Sequence, residues 1–596
     1  MIFNELNALT MHRAIIDGCY RVIVQQEELN RINVYPVADR DTGDNMASVC
    51  LAIIQHSEIR TNITLTLESI AQAAIIGSRG NSGIIFGQFF IGLHQNLPDC
   101  THLSISQFCI ALKEIAKDIG AILAKPVEGT IITLIKKLAE FASAQNNEHS
   151  FANMMSTIKP QLKEEVEKTA SMLKVVQESK VVDAGALGFY YFMEGFTDFL
   201  VKGVKLQLPP AQPLVLSQAP LQHQINKPPK FRYCTEVLLK NASIKKQELL
   251  QQFENQGDSA AVIGNQGFLK IHLHTNEPAR LFASLYKLGT LKYPKVDDMH
   301  RQYEIQFAKK HRIALVTDSS ADFPQELLDE YQIHVVPLNI HIGENDFLDK
   351  YSWESNYFYN QLQHIPVYPK TSCISPYHIK NHLNRLKACY EHILILSLSS
   401  AMSGMYGAFI EASKEDKQIA VLDTKTNSAA HGLLLHYSGQ LIAQNLPFVE
   451  IIQQVQAAIK NTVIFVLVNQ FDSMIRSGRI RKLSGKLASW SHIKPIVSID
   501  KQGRGYIAGS SLSTNKGLNK LIQLVQKQLK KENAHLEDYA IVHADNTPDA
   551  MELGKISALY FKKQPLFINT VSLVIGLHAG KGCVAIAARI TNRKNP

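Results

Sequence analysis

Ser104-Ile-Ser-Gln-Phe-Cys-Ile-Ala-Leu-Lys-Glu-Ile-Ala-Lys-Asp-Ile-Gly-Ala-Ile-Leu123 is the clearest periodic stretch in the chain. Ile105, Phe108, Leu112, Ile115, Ile119 and Ile122 follow one another at intervals of 3, 4, 3, 4 and 3 residues. That spacing lays all six on one face of a helix. Ser104 is placed to cap its start. Similar periodicity covers about 6–30, 129–147 and 151–177, so residues 1–203 read as helical, with short motif-rich loops between the helices.

Beyond this region the pattern changes twice. Pro209, Pro210, Pro213, Pro220, Pro228 and Pro229 crowd residues 205–230, where there is little charge and no periodicity. Such a stretch makes a semi-rigid linker. Residues 231–308 read as a small α+β unit, with strands at Arg232–Leu239 and Phe268–His274 and helices at 245–254 and 278–287. Residues 311–596 alternate helices with short apolar runs: Ile313–Thr317, Ile393–Ser397, Ile419–Leu422, Val463–Val468 and Ala540–Val542. Runs that are apolar on both faces predict a parallel sheet covered by helices. Several end in polar residues, among them Asp318-Ser319-Ser320 and His543-Ala544-Asp545, at the strand ends where open α/β sheets bind ligands.

The bulk properties narrow the function. A chain of 596 residues exceeds what one core supports. A formal charge of +9 over that length, without a Lys/Arg block, argues against a nucleic-acid partner. The eight cysteines are irregularly spaced and form no disulfide framework. Neither a secretory start nor a charge-free stretch of about 18 apolar residues is present in the sequence, so we expect a cytoplasmic protein. Transient membrane contact remains compatible with these features.

Four motifs in the helical region carry chemistry. The first is Asn33-Val-Tyr-Pro-Val-Ala-Asp39-Arg-Asp41-Thr42-Gly43-Asp44-Asn45-Met46. Asp39 and Asp41 share a loop beside Gly43; Mg²⁺ takes such carboxylates together with substrate phosphates, whereas a polar turn with an Asx cap would use the same residue types. The second, Gly77-Ser-Arg-Gly80-Asn81-Ser82-Gly83, opens a helix and can aim amides at a phosphate. The third is Pro126-Val-Glu-Gly-Thr130 and the fourth is Val182-Asp183-Ala-Gly185-Ala-Leu-Gly188. In the second region, His272 and His274 point to one side of a strand, and Cys234 lies on a strand that can neighbour it. One Cys and two His would leave a metal's fourth position open, as in catalytic zinc sites; a pair of ordinary strand histidines and a buried thiol is the plainer reading.

Taken in order, the four motifs resemble the nucleotide-binding domain of dihydroxyacetone kinases, in the form found in the kinase subunit of bacterial fatty-acid kinase. The resemblance implies a barrel of antiparallel helices over residues 1–204, holding ATP and two Mg²⁺ at one end. Asp39 and Asp41 would bind Mg²⁺. Thr42, Gly43, Asn45, Met46, Gly80, Asn81, Ser82, Gly83, Thr130, Asp183 and Gly185 would line the nucleotide. Arg40 stands where that family usually has glycine, and Gly185-Ala-Leu-Gly188 replaces its Gly-Gly-Gln-Gly. After the linker at 205–230, residues 231–308 resemble that subunit's middle domain through Tyr-Cys234-Thr-Glu and His272-Leu-His274-Thr-Asn, which implies Zn²⁺ on Cys234, His272 and His274.

Residues 311–596 resemble the DegV family of fatty-acid-binding proteins. The markers include Val316–Pro324, Val336-Pro-Leu338, Lys370-Thr371-Ser372, Leu398–Tyr406, Ser477-Gly-Arg479-Ile480 and Ile575–Gly580. A lipid tail gains about 0.8 kcal/mol per buried CH₂, so an apolar tunnel can hold it, and its carboxylate needs donors at the mouth. The resemblance assigns that task to Ser319, Thr371, Ser372, Ser403 and Gly404, with Arg479 and His578 nearby; Arg479 and His578 are also the expected catalytic partners of Asp39 and Asp41. Lys581 departs from the family's His-Thr-Gly-Pro-Gly.

The chain thus reads as a multidomain fusion whose activity would be phosphorylation of a bound fatty acid to an acyl phosphate, passed to an acyltransferase for phospholipid synthesis. A homodimer is expected. Two other readings use the same residues: a kinase for a small hydroxy or keto substrate such as dihydroxyacetone, and a non-catalytic lipid carrier or sensor.

Overall fold

The computed structural model describes residues 4–35, 40–203, 228–265, 267–362, 365, 367–414, 416–469, 473 and 493–592. It divides into two compact units, residues 1–278 with 284–303 and residues 279–283 with 304–596.

In the first unit the helices close a ring. Ala8–Val24, Thr42–His56, Ile63–Gly77, Gly80–Asn96, Ile105–Asp118, Ile131–Ala144, Phe151–Met172 and Ala184–Lys202 each pack on the next, and the last returns to the first. Ile105, Phe108, Leu112, Ile115, Ile119 and Ile122 are all buried, as their spacing predicts. Ser104 and Gln107 form a reciprocal capping box, which satisfies two amides that a bare helix start would leave without partners. The ring is filled by apolar side chains. Phe86, Phe90 and Phe192 meet edge to face at 5.0–5.3 Å, an arrangement aromatic quadrupoles favour.

A four-stranded antiparallel sheet belongs to the same unit, in the order Asp258–Asn265, Phe268–Thr275, Tyr233–Lys240, Thr290–Asp298. Leu238, Ala261 and Ile263 on this sheet join the core of the helical ring. A backbone bond from the Ala124 amide to the Ala260 carbonyl, 3.0 Å, ties sheet edge to ring. The strands at 258–265 and 290–298 have no counterpart in the sequence reading. Ser259 and Tyr293 each sit at positive φ, and register shifts occur beside Ser259 and between Glu236 and Leu238. Such irregularities break the alternation by which strands are recognised.

The second unit contains two larger sheets. One is parallel, in the order Ile419–Asp423, His392–Ser397, Ile313–Asp318, His334–Val336. The other has six strands: Gly505–Ser511, Lys494–Ile499, Thr462–Leu467, Val584–Asn592, Ala534–His543 and Ile568–Thr570. The runs at 463–468 and 540–542 were expected in a parallel sheet. They belong instead to this second, mixed sheet, where each pairs antiparallel with Val584–Asn592, while the 540–542 run also pairs parallel with Ile568–Thr570 on its other side. Both sheets are covered by apolar elements, so a run buried on both faces does not reveal strand direction. Helix Ser428–Ala443 is buried along most of its length and touches both sheets. Among the described residues no helix is long and apolar enough to cross a membrane.

Candidate functional site

The four motifs lie at the starts of four ring helices. Asp41 precedes Thr42–His56, Arg79 precedes Gly80–Asn96, Thr130 precedes Ile131–Ala144, and Asp183 precedes Ala184–Lys202. Helix starts carry amides without intrahelical partners and the positive end of the dipole. Several contacts bring these starts together. Thr42 Oγ1 lies 3.3 Å from Ser82 Oγ and also donates to Asn33 Oδ1. The buried Asp183 carboxylate accepts the Ala186 amide at 2.7 Å and receives the Gly185 and Ile131 amides as well. It therefore caps the third and fourth motif helices together. Burial pushes its pKa up to about 6, against the pull of those amides. Tyr35, from the first motif, feels the same carboxylate, which adds to the upward push of burial on its phenol.

Two glycines are required by geometry. A Cβ on Gly43 would meet the Gln26 carbonyl oxygen at 2.0 Å. Gly80 holds φ at +55°, and a Cβ there would meet Asn45 Nδ2 at 2.3 Å. Asn45 is buried, and its backbone crosses close to Gly83. Met46 is fully buried. Thr130 Oγ1 donates to the Val127 carbonyl at 2.8 Å and caps its helix. Asn81 Oδ1 is buried without a hydrogen-bond partner. Arg40 adopts φ +55°, a backbone state glycine enters freely and other residues enter at a cost of about 1 kcal/mol. Asp41 makes no side-chain capping bond to its helix, unlike Asp183. Asp39 lies outside the described residues.

The sheet of this unit turns a buried polar face toward the second motif. Cys234 pairs with His274 and Glu236 pairs with His272 across adjacent strands. Cys234, His272 and His274 can each offer one ligand atom with all three within 4.8 Å of one another. Cys234 Sγ is 3.6 Å from His272 Nδ1, and the imidazole rings are 4.9 Å apart. Each histidine has its Nδ1 on a carboxylate, His272 on Glu236 at 3.3 Å and His274 on Asp258 at 3.0 Å. His272 Nε2 is buried with no hydrogen-bond partner. A soft thiol, two imidazoles, two supporting carboxylates and an unsatisfied ring nitrogen suit a zinc-type ion. Burial pushes the Cys234 thiol well up, and Glu236, Asp297 and Asp41 push in the same direction. The Asp41 effect puts the first motif within electrostatic reach of this cluster.

Glu236 is the residue the sequence reading missed. It is fully buried, and it accepts the backbone amide of Gly80. Burial alone would raise its pKa; Lys295, Lys270 and His272 outweigh that and hold it well below the usual carboxylate range. Lys270 Nζ is 3.6 Å away. The strand alternation that aligns His272 with His274 also aligns Glu236 with Cys234 and Lys270 with His272, so the signal was in the period of two.

In the second unit, the expected acyl residues separate. Cys373 Sγ lies 3.6 Å from Ser403 Oγ, and the nearest atom to a Cβ built on Gly404 is that same sulfur, at 3.6 Å. Cys373, directly after the 370–372 strand, therefore meets the Ser403-Gly404 end of its loop. Thr371 and Ser372 take opposite sides of their strand. Thr371 pairs with buried Ile340, whereas Ser372 Oγ lies 2.8 Å from His341 Nε2 on the exposed side. Ser319 is wholly buried. It donates to Asp349 at 2.6 Å and accepts the Leu338 amide at 3.0 Å. Asp349 in turn accepts the Val574 amide at 3.3 Å, and Asp322 accepts that of Ser572 at 2.6 Å. These carboxylates hold the start of helix Leu573–Ala579, whose last turn carries His578. Ser319 thus supports the element that positions His578. Burial pushes Asp349 up to about 7 and Asp322 up to about 6. Lys581 pairs with Asp545 at 3.0 Å. Arg479 and its segment Ser477–Ile480 lie outside the described residues.

Three family models match successive parts of the chain. Residues 36–198 match the DAK2 domain, 230–306 match the FakA-like middle domain of fatty acid kinase, and 312–591 match the DegV family of uncharacterised proteins. An uncharacterised protein of Staphylococcus aureus strain USA300 is 28% identical over 327 residues, covering 52% of this chain. Uncharacterised proteins of strains N315 and MRSA252 match to the same extent. The chain spans 59% of the length of these relatives. Among solved structures, a fatty-acid-binding DegV family protein from Thermus thermophilus is 21% identical with a TM-score of 0.44, covering 47% of this chain and 100% of that one. One from Streptococcus agalactiae is 24% identical, TM-score 0.44, with the same coverage. A DegV lipid-binding protein from Thermotoga maritima is 24% identical, TM-score 0.42, covering 47% of this chain and 99% of that one. In one polypeptide, and in this order, the chain carries a DAK2 domain, a FakA-like middle domain of fatty acid kinase and a DegV domain.

Proposed function

We propose that this chain is an ATP-dependent kinase whose acceptor is the carboxylate of a fatty acid held by its DegV domain. The observation that carries the reading is the meeting of the motif-bearing helix starts, marked by the Thr42–Ser82 contact and by Asp183 capping two helices. Converging amides and hydroxyls suit a polyphosphate. Asp41, together with Asp39, would hold the Mg²⁺ that neutralises the triphosphate; Thr42, Asn81 and Ser82 would orient it. Cys234, His272 and His274 would hold Zn²⁺.

The chemistry asks little of a general base, because a carboxylate is already ionised at neutral pH. One of its oxygens attacks the γ-phosphorus, the bond to the β–γ bridging oxygen breaks, and that electron pair leaves with ADP. The task is to bring two anions together, which is positioning and charge neutralisation. Ser403 and Thr371 would meet the carboxylate, with Arg479 and His578 screening its charge. Ser372, on the strand's other side, would assist from its end. Holding both substrates on one chain raises their effective concentration to about the millimolar range for a short linker. The acyl phosphate would stay with the DegV domain until a cytoplasmic acyltransferase receives it, and a homodimer would permit transfer between chains.

The test supplies ATP, Mg²⁺ and a long-chain fatty acid and traps product with hydroxylamine. Hydroxamate formation that requires all three is expected. Its absence, with ADP and a dihydroxyacetone phosphate ester formed when dihydroxyacetone is supplied instead, would favour the small-substrate kinase.

A further inference from the structure

Glu236 makes two contacts that join separate parts of the first unit. One carboxylate oxygen accepts the amide of Gly80, where the second motif opens its helix, and the same oxygen lies 3.3 Å from Nδ1 of His272. We propose that Glu236 is a positioning residue that couples the metal centre of Cys234, His272 and His274 to the phosphate loop at Gly80–Gly83. The inference rests on the proposed roles of those two sites.

Several observations carry it. Glu236 is 0% exposed, with Lys270 at 3.6 Å from its second oxygen and Lys295 opposite it in the sheet. A buried ionic cluster is seldom the most stable way to fill a sheet face; apolar residues of similar volume often do as well. Stability alone therefore does not account for it. A histidine that places one ring nitrogen on a carboxylate and keeps the other buried and unsatisfied is arranged as metal-binding histidines are, and His272 is so arranged. His274 repeats the pattern with Asp258, but the Asp258 side chain is half exposed and bonds to no residue of the loop. Among the described residues, only the His272 branch leads to Gly80.

The loop end of the chain is equally constrained. Gly80 sits at φ +55° against Asn45, so its amide has one direction, and that direction meets Glu236. His272, held by a metal, would fix Glu236, and Glu236 would fix the amide that begins the loop. Coupling of this kind is reciprocal, so nucleotide in the loop favours the occupied metal centre.

The test measures the affinity of the full chain for a non-hydrolysable ATP analogue with Mg²⁺, by calorimetry, in zinc-loaded and zinc-stripped forms. For the wild type, zinc removal is expected to weaken binding at least about fivefold, the lower end of typical coupling. In Glu236→Ala the shift should fall below about twofold, whether or not the basal affinity changes. Asp258→Asn, which disturbs the other histidine, should lower zinc affinity yet keep the full shift. If Glu236→Ala does not fold, Glu236→Gln replaces it, with a diminished shift expected. The proposal is overturned if wild-type affinity ignores zinc, if the Glu236 variant keeps the whole shift, or if neither wild-type form binds the analogue. A persistent shift with no hydroxamate formed would sink the fatty-acid reading and leave the coupling standing.

Discussion

Thr42 Oγ1 and Ser82 Oγ stand 3.3 Å apart although forty residues separate them in the chain. Each is at the start of its own helix, and neither helix alone would make a polyphosphate site. The pair shows how the ring works: it aligns the starts of motif-bearing helices so that short polar segments face one another.

The first motif should be needed for chemistry and dispensable for lipid. Asp41→Asn is expected to lower hydroxamate formation at least about 100-fold, since metal-held charge neutralisation dominates phosphoryl transfer. Fatty acid co-purifying with the variant, read by mass spectrometry, should match wild type. Loss of lipid together with activity would show that Asp41 acts through folding.

Gly43→Ala should be destabilising beyond any effect on nucleotide. Its Cβ would fall 2.0 Å from a backbone carbonyl, which cannot swing aside as a side chain can. We expect a loss of about 1–3 kcal/mol, the usual cost of overpacking, and a lower thermal midpoint by calorimetry. Wild-type stability in this variant would mean that the helices 26–32 and 42–56 leave room for a methyl group between them.

Zinc should depend on Asp258 as well as on the ligands. Cys234→Ala is expected to abolish stoichiometric zinc measured by elemental analysis. Asp258→Asn should retain the site while weakening its affinity about 10–100-fold, the usual range for a carboxylate supporting a ligand histidine. Full zinc content in Cys234→Ala would remove that thiol from the site.

Stability of the second unit should fall as pH rises from mildly acidic to neutral. Asp349 is shifted from its ordinary value of 3.8 to about 7, and Asp322 to about 6, chiefly by burial. A carboxyl whose pKa is raised in the folded state stabilises it below the ordinary value, and that contribution is lost as pH climbs through the folded value. The thermal midpoint should therefore decline between about pH 4 and pH 7 by an amount corresponding to a few kcal/mol. Asp349→Asn should flatten the profile. An equal slope in the variant would contradict the assignment.

Ser403→Ala should weaken lipid retention without altering nucleotide affinity. Losing one hydroxyl donor to a charged group costs about 1.5–3 kcal/mol, or roughly 10–100-fold. Ser319→Ala, by contrast, should act through stability, because its hydroxyl joins Asp349 to the Leu338 amide inside the fold. Lipid loss at unchanged stability in Ser319→Ala would restore that residue to the ligand site.

Much of the architecture was readable because it follows from local periodicity. The six apolar residues from Ile105 to Ile122 could only share one helical face, and they are all buried. Ser104 could only cap, and it does so with Gln107. The change of period marks where helices give way to the small sheet and then to the α/β region, but the structure joins the first two in one compact unit with a shared core, and most of the proline-rich stretch expected between them, residues 204–227, lies outside the described residues. What was misread, the antiparallel pairing of 462–467 on both sides and of 534–543 on one, involves no local difference. A strand buried on both faces has the same composition whether its neighbour runs with it or against it.

The sequence by itself determined where the reactive residues stand along the chain and on which side of a helix or strand each side chain falls, because those follow from periods of 3.6 and 2. Only the tertiary structure decided which of those residues meet. Thr371 and Ser372, adjacent in the chain, take different surroundings, while Glu236 and Gly80, 156 residues apart, are bonded. The reason is physical: a side chain's direction is set by its nearest neighbours, but the identity of its partner depends on how distant elements pack.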